Sequence, residues 1–384
     1  MRILYFMNHV GIGGAALALH DLIKELKENH QDVETIVITG SYNELNVSLT
    51  KLGVENYTAP FKNFLSSTKK PFFFWRAILQ IRYRINKPNA IKKIEKLVDF
   101  KTINIIHSNL NRIDIGYYFS KKYNIKHIWH IREHGDKSFI MQVFSSYNPL
   151  LTDKNSIFIA ISNSVKSFWQ STFINEQNIR MIYDGIDSSC WIKNDSKIKN
   201  QKLSFIFLGG YDSNKGQAVF IEAVKLLPNE IKQNIIIDFY GNGSKTLKQQ
   251  LINTAKKNNL DSFCTFYDYD PNIYKLIGKY HVGVNCSKFE GFGRVTVEYM
   301  MAGLCPLVSK SGANTEIVDD GVTGLVFNRD SSDDIAQKVI YIYNNRQLLE
   351  NISKKAKIKA LNTFSMKGHA NEIYNLYKQT IVNG

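Results

Sequence analysis

The sequence predicts an α/β protein made of two Rossmann-like domains that face each other across a cleft. At 384 residues, the chain is longer than one hydrophobic core usually supports, so two domains are expected. Short apolar runs alternate with helical patterns along the whole chain, which is typical of parallel sheets covered by helices. The polar stretch 193–201 separates two series of such units and is the predicted linker.

Ten apolar runs are predicted to be β-strands, and five lie on each side of this linker. They are Arg2–Met7, Val33–Thr39, Ile103–His107, Lys126–His130, Ile157–Ile161, Leu203–Leu208, Asn234–Tyr240, Ser262–Tyr267, His281–Asn285 and Cys305–Val308. Helical patterns such as Ala15–Lys27 and Gly216–Leu227 fall between them. We therefore predict domains at 1–192 and 193–365, followed by a C-terminal helix at 366–384 that packs back on the first domain.

The composition, 44% apolar and 22% charged, is that of a folded globular protein. The net charge of +15 suits phosphates, an anionic membrane or nucleic acid, although a general excess of lysine would also produce it. Four cysteines without a CxxC pair fit a reducing cytosol. The N-terminal apolar run is too short for a signal peptide, and no run reaches the length of a membrane span. We expect a cytoplasmic protein that rests at most on the inner face of the plasma membrane.

The stretch Glu290–Gly303, EGFGRVTVEYMMAG, gives the strongest indication of a binding site. It follows a predicted strand and opens a helix near Gly293, and a helix N-terminus offers N–H groups and a positive dipole end to a diphosphate. Glu298 lies ~8 Å along the axis of that helix. Because carboxylates accept hydrogen bonds from sugar hydroxyls, Glu290 and Glu298 predict a sugar-nucleotide site, the alternative being two solvated residues at a helix end.

This stretch and five further motifs resemble the family 4 retaining glycosyltransferases of the GT-B fold, whose signature is E-x7-E. The further motifs are Ile159–Ser164 (IAISNS), Asp184–Asp187 (DGID), Leu208–Gly216 (LGGYDSNKG), Gly312–Val318 (GANTEIV) and Gly321–Gly324 (GVTG). The resemblance implies an N-terminal acceptor-binding domain and a C-terminal domain that binds a nucleotide-diphosphate sugar. It also implies transfer of a hexose-type sugar with retention, by front-face attack in which the departing diphosphate helps to take the proton of the acceptor.

The resemblance implies roles for individual residues. Glu290 would contact the transferred sugar, Glu298 the ribose and Lys215 the diphosphate. The family usually has an arginine where this chain has Gly210, and Arg294 is the candidate replacement for that missing contact. The complete implied donor-binding set is Gly209, Gly210, Lys215, Asp268, Gly293, Arg294, Val295 and Glu298.

The first domain contributes two further candidates. Gly13 and Gly14 belong to a glycine-rich turn between the first strand and the first helix, where backbone can approach a phosphate or an acceptor. Such a turn also occurs without function, and it lacks the GxGxxG spacing of a dinucleotide-binding dehydrogenase. His130 ends a predicted strand, so its ring is expected to point into the cleft. By resemblance His130 is the active-site histidine, with His134 as a competitor.

Metal chemistry is not expected. Asp268-Tyr-Asp270 is a DxD tripeptide, the metal-binding signature of the other large glycosyltransferase fold, but it lies where the GT-B pattern has a loop near the base. We therefore predict that no metal or other cofactor is required. Lys215 and the helix dipole would instead stabilise the leaving diphosphate.

The segment 61–100 contains ten Lys or Arg residues against two acids, interleaved with aromatic residues. This mixture suits an anionic membrane surface, where lipid-linked acceptors reside, or a solvated helix with an aromatic face packed on the core; nucleic acid is disfavoured. The sequence thus predicts a glycosyltransferase acting on a saccharide or lipid-linked acceptor in the synthesis of cell-surface polysaccharide or glycolipid. The alternatives are a sugar-nucleotide epimerase of the same fold and an inactive, basic membrane-binding protein.

Overall fold

The computed structural model describes residues 1–8, 13–66, 73–134, 141–142, 153, 156–172, 179–191 and 202–382. The chain forms two compact units. We call Met1–Gly185 with Met366–Gly384 the first unit, and Ile186–Ser365 the second unit. Each unit is built on a parallel sheet, so the predicted α/β class with two Rossmann-like domains is confirmed. The predicted linker 193–201 lies outside the described residues.

The first unit contains a seven-stranded parallel sheet with the order β3-β2-β1-β5-β6-β8-β9 in its described part. The strands, with the antiparallel pair β4 and β7, are β1 (Arg2–Met7), β2 (Glu34–Thr39), β3 (Glu55–Thr58), β4 (Leu65–Ser66), β5 (Ile105–Ser108), β6 (Lys126–Ile131), β7 (Met141–Gln142), β8 (Ser156–Ala160) and β9 (Ile179–Met181). Tyr5 and Phe6 of the central strand β1 have no exposed surface, as expected for a parallel strand covered on both faces.

Helices surround this sheet. They are the α-helices Gly14–Asn29, Glu44–Lys51, Phe73–Leu97, Ile115–Tyr123, Asn163–Thr172 and Met366–Val382 and the 3-10 helix Phe100–Thr102. The last α-helix buries Met366, Ala370, Ile373 and Tyr377 in the core of the first unit. Their spacing of three or four residues places them on one helical face, which explains why this segment belongs to the first unit.

The second unit contains a six-stranded parallel sheet with the order β12-β11-β10-β13-β14-β15. Its strands are β10 (Leu203–Leu208), β11 (Ile235–Tyr240), β12 (Cys264–Tyr267), β13 (Val282–Asn285), β14 (Cys305–Ser309) and β15 (Leu325–Phe327). Its α-helices are Gln217–Lys225, Asn229–Gln233, Lys245–Lys257, Arg294–Met301, Asn314–Ile317, Ser332–Asn344 and Arg346–Thr363, and its 3-10 helices are Ser188–Cys190, Ile273–Lys275 and Ile277–Lys279.

All ten predicted strands are present, with ends that shift by at most two residues. Three strands of the main sheets were not predicted, namely β3, β9 and β15. Each lies at an edge of its sheet and is only three or four residues long, so it lacks the continuous apolar run of a central strand. None of the helices in the described part of the chain combines the length and the apolar character needed to cross a bilayer.

Candidate functional site

The second unit gathers most of the predicted site residues at the carboxyl ends of β10 and β13. In parallel α/β sheets, this edge is where ligands bind. Strand β13 ends at Asn285, a loop carrying Glu290 follows, and Gly293 precedes helix Arg294–Met301. Gly293 has a left-handed φ of 83°, which glycine adopts without strain. The first N–H groups of a helix have no intrahelical partner, so this turn can present them to an anion.

Lys215 and Glu290 lie side by side. Lys215 Nζ is 3.4 Å from Glu290 Oε2 and 3.4 Å from Ser287 Oγ. The carboxylate side chain is 15% exposed and the lysine side chain 34%, so both remain reachable from solvent. A cation next to a carboxylate, close to a helix N-terminus, can hold a diphosphate and a sugar hydroxyl at neighbouring positions.

A tight approach of two loops produces this arrangement. Gly216 follows Lys215 with φ of 77°, and a Cβ built on it would lie 2.3 Å from the carbonyl oxygen of Cys286. Gly312 has φ of 51°, and its Cβ would lie 2.1 Å from the carbonyl oxygen of Glu290. Neither position has room for a side chain, so the two glycines allow backbone segments distant in sequence to meet around Glu290.

Glu298 is one turn along the helix from Arg294. Arg294 Nε donates to Glu298 Oε1 at 3.0 Å, and both side chains are mostly buried. The guanidinium therefore contacts the carboxylate that the sequence assigns to the ribose, and its predicted role as a replacement phosphate contact stays a prediction. Val295 packs its side chain against a small core cluster that includes Tyr299, and its predicted role in donor binding stays a prediction.

Gly209 and Gly210 follow β10, as predicted. A Cβ on Gly210 would lie 3.1 Å from the carbonyl oxygen of Asn242, so a side chain at this position needs a small adjustment of that neighbour. The side-chain amide of Gln217 donates to the carbonyl oxygen of Gly210 at 2.9 Å. The turn is thus held by hydrogen bonds where the family usually carries an arginine.

Asp268 follows β12 and is 87% exposed. Lys248 Nζ donates to its carboxylate at 2.7 Å, and this hydrogen bond lowers the pKa of Asp268. Asp270, the second acid of the DxD tripeptide, accepts a hydrogen bond from the backbone N–H of Asn272 at 2.8 Å. Among the residues that the structure describes, no cluster of three His, Cys, Asp or Glu side chains could hold a metal ion.

The sequence analysis missed a buried polar network beneath this site. Asn285 Nδ2 donates to Thr296 Oγ1 at 2.9 Å, and Thr296 Oγ1 donates to Asn314 Oδ1 at 3.0 Å. The network joins the end of β13, the helix after Gly293 and the loop at Asn314. Asparagine is unusual in a strand and the apolar run VGVN ends on one, so Asn285 carried a sequence signal that could have been used.

The first unit holds the other candidates. Gly13 and Gly14 begin helix Gly14–Asn29, and a Cβ on Gly14 would meet nothing within 4 Å. The rest of that glycine-rich turn, 9–12, lies outside the described residues. The structure brings Gly14 no partner that explains its identity, so its role stays a prediction.

The ring of His130 is fully buried, and its role as the histidine that contacts the sugar stays a prediction. It stacks on His107 with ring centroids 5.4 Å apart, and Arg132 and Asp184 lie beside it. Burial first, and then the charge of Arg132, hold the pKa of His130 well below its usual 6.5. By contrast, His134 is half-buried, and its Nε2 lies 2.6 Å from Ser164 Oγ.

Sequence reasoning missed Arg132, and it noted Asp184 only as part of the DGID motif without assigning it a partner. Arg132 forms a buried ion pair with Asp184 Oδ2, and its Nε and Nη2 donate to Asn109 Oδ1 at 3.1 and 2.9 Å. Burying an unpaired charge costs free energy of folding, so Arg132 needs these partners in order to be buried. The sequence indicated this pair only through Asp184, which stands where the resembled family usually has asparagine.

Comparison with known proteins agrees with this geometry. Residues 191–359 match the model of the family described as glycosyl transferases group 1. An uncharacterised glycosyltransferase of Methanocaldococcus jannaschii is 25% identical over 356 residues, which are 90% of this chain and 89% of that protein. An α-1,4-N-acetyl-D-galactosaminyltransferase of Campylobacter jejuni is 22% identical over 93% of each chain, and its name gives a diphospho-undecaprenol-linked saccharide as the acceptor.

Among solved structures, Anabaena HepE in complex with UDP-glucose superimposes with a TM-score of 0.81 at 18% identity. The match covers 99% of this chain and all of HepE. This likeness confirms the predicted GT-B fold. The match of residues 191–359 and the two relatives named as glycosyltransferases also confirm the prediction that the protein is a glycosyltransferase.

Proposed function

We propose that this glycosyltransferase belongs to family 4 and moves a hexose-type sugar, with retention, from a nucleotide-diphosphate sugar to a saccharide or lipid-linked acceptor of the cell surface. One observation carries the proposal. Lys215 and Glu290 lie 3.4 Å apart where Gly293 opens a helix, and that helix carries Glu298 one turn further on. A cation, two carboxylates and a helix N-terminus together match the groups of a sugar nucleotide.

Each of these groups has a distinct task in the proposed reaction. Lys215 and the N–H groups after Gly293 stabilise the negative charge that develops on the leaving diphosphate. Glu290 accepts a hydrogen bond from the transferred sugar, and Glu298 accepts one from the ribose. The acceptor hydroxyl attacks the face that the diphosphate leaves and passes its proton to a diphosphate oxygen, so the protein needs neither a nucleophile nor a metal.

The comparisons support the two substrates of this proposal. HepE was solved with UDP-glucose, and the Campylobacter relative is named for a diphospho-undecaprenol acceptor. We propose the same chemical classes here, a nucleotide-diphosphate sugar and a polyprenyl-diphosphate-linked saccharide.

A screen of nucleotide sugars by thermal shift, followed by transfer assays, tests the proposal. A donor at 100 times its Kd should stabilise the protein by about 2.7 kcal/mol. Transfer to a lipid-linked saccharide should then give a product whose anomeric configuration, read by NMR, equals that of the donor. An inverted product, or conversion of the donor to its epimer without any acceptor, would contradict the proposal.

Glu298→Gln tests the ribose contact. The variant should bind the donor more weakly by roughly 1.5–3 kcal/mol, because a charge-assisted hydrogen bond is lost. Glu222→Gln is the matched control, since Glu222 also pairs with a cation of its own helix but is exposed. Equal donor affinities of the two variants by calorimetry would remove the ribose role.

His130 and His134 are the candidates for the histidine that contacts the sugar, and we propose His130. His130→Ala should lower transfer far more than donor binding. His134→Ala, on the same segment, is its control. The opposite ranking of the two variants would assign the role to His134.

We also propose that helix Phe73–Leu97 docks the enzyme on an anionic membrane. Tyr83, Ala90 and Ile94 form its buried face. Ile78, Ile81 and Ile85 lie on the opposite face and are 40%, 56% and 60% exposed. Their spacing of three and four residues gives one apolar stripe, which continues into three lysines, Lys92, Lys93 and Lys96.

Exposed basic residues flank this stripe, as in helices that lie in a membrane interface. Arg82 and Arg84 are both exposed. Lys69 and Lys70, also expected to contribute, lie outside the described residues, and so does the side chain of Arg76. Each cation near an anionic surface contributes about 1 kcal/mol of binding, and salt weakens this contribution.

Sedimentation with vesicles that contain anionic phospholipid tests the membrane contact. Replacing the three isoleucines by asparagine should release the protein, and so should neutralising Lys69, Lys70, Arg76, Arg82 and Arg84. Ile358→Asn is the matched control, because Ile358 is 61% exposed on a helix of the second unit. Wild-type protein that ignores such vesicles at low ionic strength would contradict the membrane proposal while leaving the transferase proposal intact.

A further inference from the structure

The buried side chains around His130 contain an ion pair that the proposed reaction does not use. Arg132 Nη2 lies 3.4 Å from His130 Nδ1, and Asp184 Oδ1 lies 3.9 Å from His130 Nε2. His130, Arg132 and Asp184 are all more than nine-tenths buried. His130 Nε2 and Asp184 Oδ1 have no hydrogen-bond partner among the described residues. Arg132 therefore contacts one ring nitrogen, and Asp184 faces the other.

The chemistry of the guanidinium determines where the ring proton is. Arginine has only N–H donors and does not lose its proton in proteins. A ring nitrogen that accepts from it must carry a lone pair, so Nδ1 is unprotonated. The positive charge of Arg132 also disfavours the charged imidazolium form of His130. A neutral ring whose Nδ1 is unprotonated must carry its proton on Nε2.

We infer that Arg132 is a positioning residue that keeps His130 neutral with its proton on Nε2. The inference rests on the proposed function only in taking His130 to be the histidine that contacts substrate. In this state, His130 donates a hydrogen bond through Nε2 and cannot act there as a base. That role agrees with a reaction in which the leaving diphosphate takes the proton.

Asp184 completes the arrangement by neutralising Arg132. The resembled family usually has asparagine at this position, and an asparagine would leave the guanidinium buried without a counter-charge. The aspartate thus depends on the buried arginine, because a buried guanidinium requires a counter-charge. Asn109 fixes the guanidinium further by accepting two of its hydrogen bonds.

The remaining polar groups around the ring are consistent with this proton position. His107 stacks on His130, and its Nδ1 lies 2.7 Å from the hydroxyl of Tyr377. His369 is the third imidazole, with its ring centroid 6.3 Å from that of His130, and its Nδ1 lies 2.6 Å from the carbonyl oxygen of Tyr183. Burial lowers the pKa of both rings, so neither brings a positive charge to His130 at neutral pH.

The direct test is nitrogen NMR of the full chain labelled with ¹⁵N-histidine. The His130 signals are assigned by their loss in His130→Phe. We expect the shift of an unprotonated nitrogen at Nδ1 and of a protonated nitrogen at Nε2, unchanged between pH 6.5 and 8. A proton on Nδ1, or a charged ring, would overturn the inference. This measurement needs no activity, so it stands even if the transferase proposal fails.

Variants test the positioning role separately. Arg132→Met with Asp184→Asn removes the donor and leaves no unpaired buried charge. The tautomers should then mix, and kcat should fall by about 10²-fold, as when a preorganised hydrogen-bond donor is lost. The donor KM should change by no more than about twofold, since only the reacting state is affected. Arg132→Lys retains a cation that can only donate, so it should restore the proton position and most of the activity.

Lys87→Met with Asp114→Asn is the matched control, because it neutralises another partly buried ion pair of the same unit. It should lower stability without changing the His130 signals or kcat. If the Arg132 and Asp184 double variant matches wild type in both, the inference is wrong. If that variant does not fold, the spectra of wild type and Arg132→Lys still decide, because both must show the proton on Nε2.

Discussion

The two units share one architecture, but they differ in how deeply the polar groups near their strands are buried. In the first unit, imidazoles, tyrosines and an ion pair on or near the strands are buried. In the second unit, the carboxyl ends of the strands stay open, with glycine turns and partly exposed charges such as Lys215 and Glu290. The difference teaches that a Rossmann-like sheet fixes where polar groups collect, while the packing around the sheet decides whether those groups are enclosed.

The first unit depends on groups that must remain neutral. His107, His127, His130 and His369 are all at least 96% buried, and burial is the main cause that lowers the pKa of each. The pKa of His127 falls to about 3. Protonation of any of these rings would place a charge in the core, so this unit carries a latent sensitivity to acid.

The second unit depends instead on backbone conformations that only glycine adopts easily. Of the eight glycines with left-handed φ in the described part of the chain, seven lie in this unit. Three of them, Gly216, Gly243 and Gly312, also lie close to the carbonyl oxygen of another residue. A side chain added at these glycines should therefore destabilise the second unit, whereas a change of pH near neutrality should affect its stability little.

Acid should produce the largest difference in stability between the two units. Below pH 6.5, the unfolded chain binds protons at these four histidines whereas the folded unit does not, so stability falls as the pH falls. By pH 5.5, the loss should be on the order of 4 kcal/mol for His107, His127 and His130, and the lowered pKa of His369 should add to it. Hydrogen–deuterium exchange on the whole chain should show the first unit losing protection before the second. Loss in the reverse order would contradict the comparison.

Gly312→Ala should produce the next largest effect and act on the second unit. The left-handed φ and the clash with the carbonyl oxygen of Glu290 should together cost about 2–4 kcal/mol, measured by urea unfolding. Gly321→Ala is its control, because Gly321 has φ of 74° but nothing within 4 Å of its Cβ. That variant should lose only about 1 kcal/mol. Equal losses would show that the close approach to Glu290 does not matter.

Arg294 and Gly210 test whether the second unit shares a phosphate between two positions. If Gly210 leaves a contact that Arg294 supplies, Arg294→Ala should lower turnover, and adding Gly210→Arg should restore part of it. The coupling in the double-mutant cycle should then be about 1 kcal/mol. Additive effects, within about 0.5 kcal/mol, would show that the two positions do not serve one phosphate.

Chelation should have the smallest effect. If Lys215 and the helix N-terminus hold the diphosphate in the second unit, EDTA should leave the transfer rate unchanged. Loss of activity that manganese or magnesium restores would instead assign metal binding to Asp268 and Asp270. The exposed Asp268 would then have to leave its ion pair with Lys248.

The sequence alone determined the two sheets and most of the predicted binding residues of the second unit. Strand periodicity, glycine turns and the spacing from Glu290 to Glu298 are local properties of the chain, so they can be predicted without a tertiary structure. The edge strands β3, β9 and β15 were not predicted, because they are too short to show an apolar pattern in the sequence.

Only the tertiary structure decided which polar groups are enclosed and what they pair with. The sequence places His130 at a strand end but does not reveal its buried partners Arg132 and Asp184, which are 52 residues apart. Lys215 and Glu290, 75 residues apart, meet because Gly216 and Gly312 let their loops approach. Burial and pairing depend on contacts between distant segments, and these in turn set the pKa of each histidine and the charge that each site can hold.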